Sequence, residues 1–149
     1  MNKKDTTEEQ ACALNGCLFF TTVKLNRVFS KIADDAFSKT GLSPSHALLL
    51  YLVNERGGIM QKDLGETLHL TPSTITRLIE KLERKKLVSK TSEGKQMFLT
   101  PTGDGLLLQE AILESWNLLH SKYQGILTEE ETAQFLMLST KLLEKLEEN

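Results

Sequence analysis

The chain has 149 residues, 40% of them hydrophobic and 26% charged, with a formal net charge of −2. That length suits one compact folding unit spanning 1–149, and the composition excludes collagenous, disordered and membrane-embedded classes. The longest apolar run, Ala47 to Val53, is far too short to cross a bilayer and the polar segment Met1 to Gln10 carries no signal peptide, so the expected location is cytoplasmic with no membrane partner.

From about Glu8 to Lys39 the residues Ala13, Cys17, Phe20, Val23, Val28, Ile32 and Ala36 recur at three-to-four spacing, which predicts one long helix stopped by Gly41. So long a helix in so small a chain is expected to lie against more than its own core. Ser43 caps a second helix with Pro44 in its first turn, where a missing N–H costs nothing. Through Asn54 that helix is densely apolar and should be the buried centre.

After Gly57-Gly58, Gln61 to Leu68 reads as a short helix with Leu64 and Leu68 inward. Thr71 as N-cap and Pro72 as first helical residue then open a helix whose stripe Ile75, Leu78, Ile79 and Leu82 faces the core. At 100° per residue, Ser73, Arg77, Glu80 and Arg84 lie opposite, with Thr76 on one flank and Thr74 and Lys81 on the other. Leu87 to Thr91 and Gln96 to Thr100 are strand-like runs joined by a turn, Ser92 to Lys95, built around Gly94. Thr100 is expected to cap the next helix, with Pro101 behind it, running to about Gln124. A last helix starts at Thr128, where Glu131 completes a capping box, and continues through Phe135, Leu138, Leu142 and Leu146.

The fold class is therefore mainly α with a small β-hairpin wing: a winged helix-turn-helix over about 43–100, flanked by helices over about 8–40 and 101–147. In such a motif the second helix enters the major groove of duplex DNA. Charge distribution agrees. From Thr71 to Lys90, six basic residues stand against two acids, a local +4 that leaves −6 for the remainder.

The segment from Lys62-Asp63-Leu64-Gly65 through Thr71-Pro72-Ser73-Thr74-Ile75-Thr76-Arg77-Leu78 to Leu87-Val88 resembles the signature of the MarR family, and Leu99-Thr100-Pro101-Thr102-Gly103 resembles the way that family leaves its wing. The resemblance implies a triangular homodimer whose terminal helices interlock while two winged units straddle a pseudo-palindromic operator. It further implies repression relieved by a small aromatic or anionic effector, or by oxidation of a cysteine. By position, Ser73, Thr74, Thr76 and Arg77 resemble the family's base- and phosphate-contacting set, with Lys81, Arg84, Lys90 and Lys95 adding phosphate contacts. The wing is several residues shorter than usual and lacks the family's Asp-x-Arg motif, which puts base discrimination on the recognition helix.

Leu14-Asn15-Gly16-Cys17-Leu18-Phe19-Phe20 resembles the segment bearing the peroxide-sensing cysteine of the family's organic-hydroperoxide branch, so Cys17 is the candidate redox residue. Ser43 stands where that branch has an activating tyrosine, and an inert cysteine on a dimer helix is the alternative. Cys12 and Cys17 are five residues apart, about 140° round a helix, and do not make a metal pair. His46, His69 and His120 are scattered, so no metal is expected. Phe20, His46 and Trp116 are candidates for a ligand cleft between the dimerisation and DNA-binding parts, with packing as the plainer reading. No glycine-rich phosphate loop, nucleophile elbow or paired carboxylates point to an enzyme or cofactor. The rival to a DNA-binding regulator is a winged-helix protein-interaction module.

Overall fold

The computed structural model describes residue 13 and residues 16–148. The expected start of the first helix at Glu8, and Cys12 with it, lie outside these residues. Helix α1 spans Leu18–Phe37, a 3-10 turn follows at Ser38–Thr40, and α2 spans Pro44–Arg56. Strand β1 is Ile59–Met60, α3 Gln61–Leu68, α4 Pro72–Arg84, β2 Val88–Glu93 and β3 Gln96–Pro101. Helices α5 (Gly103–Leu107), α6 (Gln109–Tyr123) and α7 (Glu129–Glu147) complete the chain.

The first helix is not continuous from Glu8 to Lys39 as its periodicity suggests. Gly16 is a turn and Cys17 is extended (φ −80°, ψ 122°), so α1 begins afresh at Leu18. A glycine inside an otherwise helical pattern is where such a break costs least. At the other end Gly41 takes φ 68°, the left-handed conformation that ends the 3-10 turn.

Ser43 accepts a hydrogen bond from the His46 N–H and Pro44 occupies the first turn, so α2 starts where its capping chemistry requires. Its Ala47, Leu49, Leu50 and Val53 are completely buried and form the hub of one core with Phe37, Leu64, Ile75, Ile79, Leu82, Leu99 and Ile112. That core ties α2 to α1, to the α3–α4 pair, to the sheet and to α6. The amphipathic α4 buries Ile75, Ile79 and Leu82 and half-buries Leu78, so its polar face can only point outwards.

The sheet has three antiparallel strands in the order β1-β3-β2. Strand β1, too short to register as a period, pairs Ile59 with Leu99 and Met60 with Phe98. The β2–β3 ladder runs from Val88↔Pro101 to Glu93↔Gln96, so the wing turn is two residues, Gly94-Lys95, rather than the four expected. Gly94 supplies the positive φ (64°) that so tight a turn requires.

Thr100 does not cap the following helix. It and Pro101 remain in β3, and Thr102 is the cap, its hydroxyl accepting from the Gly105 N–H. The helix expected to run unbroken to Gln124 divides at Leu108 into α5 and α6. The cause lies in Gly105, whose carbonyl accepts from the Asn54 side-chain amide at 2.9 Å and from the Leu108 N–H at 3.3 Å, tightening the turn there. Helix α7 starts as expected, with Thr128 and Glu131 exchanging hydrogen bonds in a capping box. It has no buried residue. Among the described residues no helix is long and apolar enough to cross a membrane.

Candidate nucleic-acid interface

Helix α4 carries most of the candidate site. Thr71 caps it and Pro72 fixes its first turn, and the Thr71 hydroxyl lies within hydrogen-bond distance of the Ser73 and Thr74 hydroxyls, at 3.2 and 2.9 Å. Small hydroxylated side chains thus crowd the helix start, where the Thr74 N–H is capped by the Thr71 hydroxyl and the helix dipole is positive. Ser73, Thr74, Arg77, Lys81 and Arg84 are exposed, as their positions opposite the apolar stripe require. Thirteen residues make α4 about 20 Å long, enough to lie along a major groove about 12 Å wide.

Ion pairs join Lys62 to Glu66 and Lys145 to Glu148, and no described residue forms one with Arg77 or Lys81. Among the described residues Arg77 and Lys81 therefore have no counter-charge, while Arg84 donates from Nε to the Glu80 carbonyl at 3.3 Å. Thr76 differs from its neighbours. It is half-buried, donates its hydroxyl proton to the Pro72 carbonyl at 2.8 Å and accepts from Gln61 Nε2 at 3.1 Å. Gln61, at the start of α3, has no place among the residues the sequence pattern singles out; glutamine opening the first helix of the motif is the only hint.

Helix α4 ends in a Schellman motif, Leu87 N–H bonding to Leu82 O and Lys86 N–H to Glu83 O, with Lys86 itself left-handed at φ 59°. The chain therefore leaves the helix directly into β2, which roots the wing beside α4. Lys95 is exposed at the wing tip. Lys90 is half-buried opposite the buried Leu99, on the strand face it shares with Val88, so its stem lies along the sheet and only its head can reach solvent.

Phe20, His46 and Trp116 do not come together. Trp116 lines a small pocket of about 200 Å³ with Leu48, Tyr51, Ile112 and Leu113, and its ring packs edge-on against buried Phe37 at 6.1 Å. Phe20 instead pairs with Phe19 at 5.3 Å between ring centres. His46 bonds Ser43 through Nδ1, and burial, with Lys81 and Lys85 nearby, holds its imidazole below the ordinary histidine pKa. Tyr51, Leu48 and Leu113 join the pocket through tertiary packing that no local motif announces. Cys17 is half-buried at the break before α1 and makes no capping hydrogen bond. No group of three His, Cys, Asp or Glu among the described residues is placed to hold a metal.

Residues 40–96, from the end of the 3-10 turn to the wing tip, match the MarR family model. Over 131 residues the chain is 26% identical to the HTH-type transcriptional repressor MdtR of Bacillus subtilis, covering 84% of each protein. In fold it resembles S. aureus MepR, solved as a DNA complex, with a TM-score of 0.76, 22% identity, and coverage of 87% of this chain and 98% of that one. Bordetella bronchiseptica BpsR, solved to explain regulation of its DNA binding by 6-hydroxynicotinic acid, gives a TM-score of 0.76 at 17% identity, with 85% and 93% covered.

Proposed function

We propose that this chain, similar to the MarR family over residues 40–96, is a winged helix-turn-helix, DNA-binding transcriptional regulator of that kind: a homodimeric repressor of a pseudo-palindromic operator, released by a small aromatic or anionic ligand. The observation that carries the DNA reading is the exposed face of α4, where Ser73, Thr74, Arg77, Lys81 and Arg84 stand clear of the core and Arg77 and Lys81 have no counter-charge among the described residues. Arg77 reads or anchors, Lys81 and Arg84 neutralise phosphates, and Lys95 reaches the backbone from the wing.

Dimerisation is supported by the other end of the molecule. Helix α7 exposes Phe135, Leu136, Met137, Leu138, Leu142, Leu143 and Leu146, and α1 begins with exposed Leu18 and Phe19. So much uncovered apolar surface is characteristic of an interface. A two-fold pairing through these helices sets two recognition helices about 34 Å apart, one turn of duplex. The pocket beside Trp116 has room for about one aromatic ring, and it lies between α2 and α6, where filling it alters how the winged unit sits on the terminal helices. Such coupling requires two states of different operator affinity.

The test is selection of bound duplexes from a random pool at near-physiological salt, then titration against scrambled DNA. A palindromic winner preferred about a thousandfold or more supports the reading, and Arg77→Glu should abolish that binding while the oligomer persists. Weak, salt-sensitive binding with no enriched sequence would refute it in favour of the protein-interaction module.

A further inference from the structure

The geometry points to a specific role for Thr76: it reads thymine through its methyl group rather than hydrogen-bonding DNA with its hydroxyl. The inference rests on the operator reading above and narrows it to one side chain. A threonine hydroxyl has a single proton, and here it is engaged by the Pro72 carbonyl one turn back, at 2.8 Å. Phosphate oxygens, guanine O6 and N7, adenine N7 and thymine O4 are all acceptors, so none can be served without breaking that bond.

The oxygen's acceptor capacity is also drawn on. Gln61 Nε2, from the first turn of the preceding helix, donates to it at 3.1 Å. Two bonds in two directions hold Thr76 in one rotamer, which is the pre-organisation that a precise apolar contact needs. What Thr76 retains for the groove is Cγ2, and the base feature that matches a methyl in the major groove is the C5-methyl of thymine. Its neighbours contrast with it. The hydroxyls of Thr71, Ser73 and Thr74 bond chiefly to one another at an exposed helix start and can turn towards DNA without leaving a carbonyl unpaired.

The experiment uses the full-length protein and its selected operator, with each thymine replaced in turn by uracil, which removes only the methyl. Wild type should lose about fourfold in affinity at one thymine per half-site, the effect of one buried methyl. Thr76→Ser, which keeps the hydroxyl and lacks the methyl, should bind the thymine and uracil forms equally at that position. The double variant Gln61→Met, Thr76→Val removes both hydrogen-bonding groups together and keeps the methyl; Gln61 Oε1 is already buried without a partner, so the swap is mild. It should preserve the fourfold difference. The inference is overturned if Thr76→Ser still distinguishes thymine from uracil, if the double variant loses the distinction, or if no thymine methyl matters to an operator that wild type binds specifically. Absence of any preferred sequence would instead overturn the operator reading and this inference with it.

Discussion

Gly105→Ala should weaken the fold far more than a surface-helix substitution ordinarily does. A Cβ built at Gly105 comes 2.1 Å from the Leu87 carbonyl oxygen, 3.1 Å from its carbon and 3.3 Å from Leu50 Cδ1. That oxygen cannot retreat cheaply, since it accepts from the Thr102 N–H at 3.2 Å while the Thr102 hydroxyl holds the Lys86 carbonyl at 2.7 Å. Relieving the overlap must push α5 away from the root of the wing. Overpacking of this kind costs about 1–3 kcal/mol, and losing the Asn54 bond to the Gly105 carbonyl adds about 1 kcal/mol. Alanine's better helix propensity returns about 0.5–1 kcal/mol, leaving a net loss of about 1–3.5 kcal/mol. Gly103→Ala is the control: it lies in the same short helix, and nothing stands within 4 Å of its added Cβ. Urea unfolding at one fixed protein concentration, because any association between copies would add to apparent stability, should separate the two variants by at least about 2 kcal/mol. If Gly105→Ala unfolds within about 0.5 kcal/mol of Gly103→Ala, the close approach of α5 to the wing root is not what fixes a glycine there.

Lys86→Gly should stabilise by about 0.5–1 kcal/mol, because the left-handed conformation at φ 59° costs lysine more than the extra unfolded-state freedom costs glycine; a lower urea midpoint than wild type would contradict this. The depressed pKa of His46, due to burial and then Lys81 and Lys85, means the unfolded chain takes up a proton first as pH falls below 6.5. Stability is therefore full above that pH and declines below it, and His46→Gln should flatten the decline below pH 6.5; parallel profiles would show that His46 is not responsible. Leu136→Glu with Leu143→Glu places two charges seven residues apart on one exposed face of α7 and should yield a monomer by light scattering, whereas an unchanged mass would remove α7 from the interface.

Features written in adjacent residues were legible in the sequence. Ser43-Pro44, Thr71-Pro72 and Thr128 with Glu131 are each a cap and its partner within four residues, and all three helices start where those signals put them. The face of α4 was equally readable, since a stripe at 3.6 spacing fixes which residues are left outside. The misses needed information from across the chain. Thr100 was a plausible cap until pairing with Ser89 held it in the sheet, and Asn54, 51 residues away in sequence, divides α5 from α6. Strand β1 forms on only two residues because β3 offers an edge to complete, and the bond between Gln61 and Thr76 exists only once two helices have been folded together.

The bare surface of α7 makes the helix itself conditional. Its 19 residues span about 28 Å and none of them is buried, whereas helices in proteins draw most of their stability from packing rather than from propensity. Under the proposed pairing through α7, helix content at that end would rise with protein concentration, and a subunit diluted from its partner would fray there first. A cell that lowered the level of such a protein would then remove it faster than in proportion, because the exposed helix would be where degradation of the lone chain begins.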